Sequence, residues 1–315
     1  SRTTAPEEPA RPTVETPQRG GVLRASLRAE PRSFNRLVSR DYATQLTALL
    51  TQARLVRVNM ATHELEPWLA EKWTSSPDGL VHTLTLRDGL RWSDGTPFSS
   101  ADVAFTFAAV YDPAVKSVLA SSLEVDGDPL AVATPDARTV VVTFPHPFGP
   151  GIRLLDNLTI LPKHKLEAAR SAGTMATAWG AATPPADMAG MGPFVLTTYE
   201  PGQRLTFARN PNYWRTDERG IALPYLDGLV LEIVPDQSAE LLGLQAGRLD
   251  LTQQQLRAED YGTAREMARA GLLRLQEVGV SPDPDVFFFN LRPSAWANDP
   301  RRAWMFTDTF RKALN

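Results

Sequence analysis

The chain has 315 residues and no cysteine, which excludes disulfides, thiol nucleophiles and thiolate-ligated metals. It also lacks the residues that would misoxidise outside the cytoplasm, although cysteine-free chains occur in every compartment. Histidine is scarce too. His63, His82, His146 and His164 show no HxxxH or HExxH spacing, so a zinc site from local ligands is not expected. No apolar run approaches the roughly 18 to 20 residues needed to cross a bilayer. Lys and Arg number 33 against 36 Asp and Glu, a net charge of -3, and no basic run is interleaved with aromatics. Nucleic-acid binding therefore finds no support.

Catalytic signatures are equally thin. There is no GxSxG elbow for a Ser-His-Asp triad. Gly190-Met191-Gly192 is followed by Pro193 and a strand pattern instead of a helix start, so it cannot cradle a pyrophosphate in the dinucleotide manner. Asp283 and Asp285 sit in a Ser-Pro-Asp-Pro-Asp run that reads as a solvated turn, not as a calcium or acid/base pair. His82 is expected to sit satisfied on a strand.

What is present is the composition of a globular body, 43% hydrophobic and 22% charged. At about 150 residues per domain, two domains or lobes is the default count. Residues 1 to 20 hold four prolines and almost nothing large and apolar, so they read as a disordered tether. A flexible segment of that length spans on the order of 25 Å, enough to hold a lobe off a membrane through a lipidated or cleaved N-terminus. The start at Ser1, without Met, suits a processed or trimmed product.

The richest stretch runs from Leu65 to Tyr111. Pro67, Trp68 and Leu69 anchor a turn, Trp73 follows, and Ser76-Pro77-Asp78-Gly79 signals another turn. Leu80, His82, Leu84 and Leu86 then alternate with Val81, Thr83, Thr85 and Arg87, the period of a half-buried strand. Asp88-Gly89 and Asp94-Gly95 bracket Leu90-Arg91-Trp92 in a tight connection. Ser99 and Asp102 have capping-box spacing, and Val103, Phe107 and Val110 continue one apolar helical face.

Elsewhere short strands and helices alternate. Strands are expected at 22–27, 130–133, 139–144, 193–200, 204–209, 272–279 and 286–291, with Leu229, Leu231 and Ile233 forming the buried face of another. Helical spacing covers 42–56, 237–246 up to Gly247, and 258–270 before Gly271. Asp308 can cap a last helix of under two turns, which has little stability alone. Asn315 could be its left-handed C-terminal cap.

This order of turns, strand, tryptophan and capped helix resembles the extracellular solute-binding proteins of family 5, which feed peptide, nickel and related ATP-driven importers. Four further segments agree. Gly20-Gly21-Val22-Leu23-Arg24 with Glu30-Pro31-Arg32-Ser33-Phe34-Asn35 is similar to the family's opening strand and turn. Gly190-Met191-Gly192-Pro193-Phe194 with Arg209-Asn210-Pro211-Asn212-Tyr213-Trp214 resembles its "GTGPY … RNPxYW" pair. Tyr225-Leu226-Asp227 through Leu249-Asp250-Leu251 resembles its "sGxxDl" unit. Phe288-Phe289-Asn290-Leu291 and Asp308 to Asn315 look like its crossing strand and "D … RxALn" helix.

The resemblance implies an α/β fold, periplasmic-binding-protein-like (type II, cluster C). It implies lobe I from residues 21–56 and 186–280, an inserted subdomain at 57–185, and a crossing strand at 281–315 with the second lobe largely absent. The chain is accordingly expected to be a fragment or processed form carrying the first lobe. The implied function is the substrate-binding component of an ABC importer, closing on a peptide-like solute without catalysis. Its partners would be an oligopeptide or other small solute and a membrane permease, with no cofactor, no metal, a monomeric state and an extracytoplasmic location. The alternatives are a hydrolase using acidic residues in the same cleft, or a chaperone-like surface protein.

Candidate ligand contacts follow from the same resemblance. Ser39, Arg40, Asp41 and Tyr42 lie where the family's first lobe offers an extended segment to its ligand, and exposed backbone there would pair with a peptide by strand addition. The alternative is an ordinary charged loop whose Asp41 caps the helix. Met188 and Met191 flank the glycine turn and either line the cleft mouth or fill a gap. Asn290 marks the lobe crossing, where a hinge absorbs dihedral change. Trp92, Tyr213 and Trp214 are expected as core anchors. Two departures alter the loop's surroundings and leave the substrate open: Arg36 stands where proline often follows Asn, and Ala53-Arg54-Leu55-Val56 replaces a common Gly-Leu-Val turn.

Overall fold

A computed structural model describes residues 17–252, 256–276 and 288–313. The chain divides into two units, Ser1–Leu273 and Arg274–Asn315. In the first unit the elements run β1 (Val22–Leu27), α1 (Tyr42–Thr51), β2 (Val56–Val58), β3 (Leu65–Pro67), β4 (Ala70–Ser75), β5 (Val81–Leu86) and α2 (Ser100–Val110). They continue with β6 (Glu124–Val125), β7 (Asp128–Pro129), β8 (Ala131–Asp136), β9 (Thr139–Thr143) and α3 (Lys163–Ser171). The last are β10 (Phe194–Glu200), β11 (Arg204–Arg209), β12 (Gly228–Ile233), α4 (Gln237–Gln245) and α5 (Tyr261–Arg269).

Two four-stranded sheets carry this unit. The first, in order β1-β12-β11-β10, pairs β1 with β12 in parallel and the other neighbours antiparallel, and so joins residues 22–27 to residues 194–233. Beyond β1, Leu251 forms a parallel bridge to Ala25 and Asp250 accepts from the Arg24 amide at 2.8 Å. The second sheet, β4-β5-β9-β8, is antiparallel and lies wholly within residues 70–143.

Local sequence accounts for most of these elements. The alternation in β5 buries His82, Leu84 and Leu86 and turns Val81, Thr83 and Thr85 outward. In α2 the Ser99 side chain and the Asp102 carboxylate form the capping box, and Asp102 also accepts from the Lys163 amide at 3.0 Å. Trp92 is fully buried, while Tyr213 and Trp214 are half-buried. One continuous core runs from Ala25 through Trp92 and Val142 to Leu231. His82 takes a 2.8 Å hydrogen bond between its Nδ1 and Ser75, but its Nε2 is buried without a protein partner, so the expected satisfaction is half realised.

Several expectations are corrected. Helix α1 stops at Thr51, five residues short of the periodic pattern, because the Gly190–Gly192 backbone closes onto its end and the Gly192 amide takes the Thr51 carbonyl at 2.9 Å. Its inner face is Ala43, Thr44, Thr47 and Ala48, small enough for close approach, and Leu49 is left half exposed. Gly20, within the expected tether, is instead tied to the fold, its amide donating to Tyr225 O at 2.9 Å; residues 1–16 lie outside the described residues.

The second unit holds α6 (Arg302–Met305) and α7 (Asp308–Ala313). Asp308 is the first residue of α7, not its cap, and pairs with Arg311. None of the unit's described residues is buried. Residues 288–291 do not form the expected strand, because among the described residues of this unit no other strand offers a hydrogen-bonding ladder. Residues 272–276 are likewise not strand, and the rest of both predicted strands, with Asp283, Asp285, Phe287 and Asn315, lies outside the described residues.

Candidate functional site

The loop between β1 and α1 is held from beneath by a buried asparagine. Asn35 donates its side-chain amide to Met175 O at 2.9 Å and accepts from the Leu37 amide at 3.0 Å, while the Phe34 amide reaches Trp179 O at 2.8 Å. Burying an amide side chain is tolerated only when its polar atoms are paired, and here the pairing pins residues 33–37 to the 175–180 turn. Trp179 holds a left-handed backbone, φ 56°, beside the Ser33–Gly180 bridge.

The four predicted loop residues fall together at the head of α1 but face different tasks. Asp41 is the N-cap, accepting from the Thr44 amide at 2.9 Å and from the Ser39 hydroxyl, and it shares the single Thr44 hydroxyl proton with Ser33 O, each 2.7 Å away. Burial alone would raise its carboxyl, yet these hydrogen bonds hold it below the ordinary range. The capping alternative is thus present in the structure. Arg40 donates its guanidinium to Val118 O, and Tyr42 stands half exposed at 50%. Arg36 donates to Ser39 O at 2.8 Å; burial, with Arg40 and Arg54 nearby, lowers its guanidinium from the usual value.

The loop's main chain is less open than strand addition requires. The carbonyls of Ser33, Asn35, Leu37, Ser39 and Arg40 accept, in turn, from Thr44 Oγ1, the Val38 and Val118 amides, Arg36 and Gln45. Met191 is 1% exposed and inside the core, which is the gap-filling reading and not the cleft-lining one. Asn290 lies in the second unit, exposed, accepting from the Arg292 amide at 3.1 Å and from the Trp296 indole.

A pocket beside the loop was not visible in the sequence. Phe34, Gln52, Trp179, Met188 and Phe194 line it, where the end of α1 meets the glycine turn. Its volume of about 30 Å³ is enough to hold water. Gln52 Oε1 is buried there without a protein partner, which suits a bound water. The pair Gly190 and Gly192 was the available signal, since only glycine permits such a backbone approach. Among the described residues no group of His, Asp and Glu is arranged to hold a metal ion, and no helix is long and apolar enough to cross a membrane.

A parallel β1–β12 core with antiparallel returns, and a pinned loop before α1, defines a mixed α/β unit of the periplasmic-binding-protein lobe type. The family model described as "Bacterial extracellular solute-binding proteins, family 5 Middle" matches residues 64–315, and the chain belongs to this family. A probable ABC transporter-binding protein of Deinococcus radiodurans is 31% identical over 242 residues, 74% of this chain and 40% of that one. The periplasmic alpha-galactoside-binding protein of Rhizobium meliloti is 33% identical over 190 residues, 58% of this chain and 27% of that one. The solved oligopeptide-binding protein AppA of Bacillus subtilis, in complex with a nonapeptide, superposes with TM-score 0.68 at 26% identity, covering 80% of this chain and 47% of that one. The chain thus spans less than half the length of these relatives.

Proposed function

We propose that this chain supplies the first lobe of a solute receptor that captures a peptide-like molecule outside the cytoplasm and delivers it unchanged to an ATP-driven permease. The observation that carries the reading is the likeness to the Bacillus oligopeptide-binding protein over 80% of this chain. In this reading lobe I is built from residues 21–56 and 186–280 around the first sheet, and residues 57–185 form the inserted subdomain around the second. Residues 281–315 begin the crossing to a second lobe, with Asn290 at the hinge. The N-terminal segment tethers the lobe to a membrane surface, and the receptor works as a monomer.

Ser39, Arg40 and Tyr42 form the ligand-facing rim, with Asp41 fixing their geometry as the helix cap. The engagement of five loop carbonyls shifts recognition from main-chain pairing toward side chains, Tyr42 first. The hydrolase alternative gains nothing from the structure, because both carboxylates of the loop are engaged: Asp41 caps the helix, and Glu30 accepts from the Tyr199 hydroxyl and the Gly202 amide. Isothermal titration of mixed short peptides into the full gene product tests the proposal: saturable binding without turnover is expected, and no saturable binding of any peptide refutes it. The 315-residue chain alone, offering one wall of the site, is expected to bind weakly or not at all.

A further inference from the structure

Three arginines from distant parts of the chain converge on two indoles. The Arg57 and Arg215 guanidinium carbons lie 4.9 and 4.1 Å from the centroid of the Trp68 ring, and that of Arg87 lies 4.7 Å from the Trp214 ring. The two indoles meet edge-on at 5.5 Å. All three arginines are half-buried, and none enters an ion pair with a described carboxylate. Arg87 donates Nε to Trp68 O at 2.6 Å, which leaves Arg57 and Arg215 as the pair with donors to spare. The acid facing Arg57 across the β2–β3 ladder, Glu66, is instead engaged by the Asn59 amide at 2.6 Å. Tyr213 completes the group, its ring 5.9 Å from Trp214. Burial raises the phenol against the pull of Arg215, which also hydrogen-bonds it, and of Arg57, so it stays protonated and able to donate.

Stacking on indole is favourable for each cation, but it does not neutralise charge. The two guanidiniums gathered on one indole are partly removed from water, and Glu66, the acid facing Arg57, forms no ion pair with either, so both keep donors for an added anion. We propose that Arg57, Arg215 and the Tyr213 hydroxyl bind a phosphate-type oxyanion. Guanidinium forks from two segments and a phenol donor suit a tetrahedral oxyanion with acceptors in more than one plane, whereas a planar carboxylate uses one fork. The indoles fix the guanidinium planes in advance, which reduces the ordering cost of binding.

Tryptophan fluorescence of the 315-residue chain, titrated with inorganic phosphate against chloride at matched ionic strength, reads the site directly because Trp68 and Trp214 form its floor. A saturable change is expected, weakened about tenfold or more by Arg57→Gln or Arg215→Gln and less by Tyr213→Phe. A parallel arm uses phosphatidylcholine vesicles with and without phosphatidylglycerol. Co-sedimentation that needs phosphatidylglycerol and both arginines assigns the oxyanion to a lipid headgroup; a response to phosphate alone assigns it to the free ion. Should the Gln variants fail to fold, Arg57→Lys and Arg215→Lys keep the charge but lose the fork, and weaker binding is still expected. The wild-type titration decides in any case. No saturable response to phosphate or to phosphatidylglycerol vesicles, or an equal response to acetate, overturns the proposal and leaves the cluster as a cation–π clamp between the β2–β3 hairpin and the 213–216 loop.

Discussion

Replacing Gly190 with alanine tests whether the close approach of two backbones organises the loop region. A Cβ at Gly190 would lie 1.8 Å from the Thr51 carbonyl oxygen and 2.9 Å from its carbon. The neighbour is backbone at the end of α1 and cannot rotate away, so it has to retreat by about 1.5 Å to reach ordinary contact. That retreat breaks the 2.9 Å bond from the Gly192 amide to Thr51 O and disturbs the Ser93 contacts with Gly190 at 2.9 and 3.1 Å. Overpacking of this kind costs about 1–3 kcal/mol, and each hydrogen bond lost adds about 1 kcal/mol. Gly190→Ala is therefore expected to destabilise by about 2–4 kcal/mol in urea unfolding followed by tryptophan fluorescence. Gly192→Ala, whose Cβ would meet Leu50 O at 2.4 Å, follows it, and the double variant costs less than the two together because one retreat relieves both contacts. Gly149→Ala meets nothing within 4 Å and is the control, expected within about 0.5 kcal/mol of the parent. If Gly190→Ala falls inside that same margin, the argument from backbone approach is wrong.

Other perturbations separate structural from ligand-facing roles. Glu240 is 1% exposed and accepts both Nε and Nη2 of Arg28 at 3.2 and 2.9 Å, so Glu240→Ala is expected to cost about 3 kcal/mol by leaving the arginine unpaired. A loss under about 1 kcal/mol in the same urea assay would show the pair to be dispensable. Burial alone would raise the Asp94 carboxyl, but His164 at 2.8 Å and the Thr96 amide at 3.1 Å bring it down to about 2. Between 3.8 and about 2 the unfolded chain binds the extra proton, so this contribution is complete above that window and is lost as pH falls through it. The stability gap between wild type and Asp94→Asn should therefore be flat above about pH 5 and narrow below about pH 3; a gap independent of pH contradicts the assignment. Tyr42→Ala is expected to weaken peptide capture by the full gene product while shifting the melting temperature by less than about 2 °C. A large melting shift makes Tyr42 part of the fold.

What could be read from the sequence were the features decided within a few residues. The period of two in β5, the capping box at Ser99 and Asp102, and the left-handed Gly247 after α4 each carry their own cause. The end of α1 was not legible, because the pattern through Val56 is helical and the stop comes from Gly190 and Gly192, more than 130 residues further along. For the same reason the site was half legible. Asp41 announced a helix cap, whereas nothing local distinguished a buried Met191 from an exposed one, or showed that Arg57 and Arg215 share an indole.

Selectivity in the proposed receptor follows from how its loop is held. A lobe that reads peptides through backbone pairing needs a row of unengaged amides and carbonyls, and tolerates varied side chains. Here the carbonyls of Ser33, Asn35, Leu37, Ser39 and Arg40 are already taken, and Asn35 fixes the loop to the 175–180 turn. Of the side chains at this rim Tyr42 is the large exposed one, and it is the surface the proposed receptor would offer a solute. Rim chemistry of that kind discriminates by shape and hydrogen-bonding pattern instead of by chain length. A panel of solutes matched in length but varied in side chain should therefore spread in affinity more widely than a panel of one composition varied in length; the opposite ranking returns recognition to the main chain.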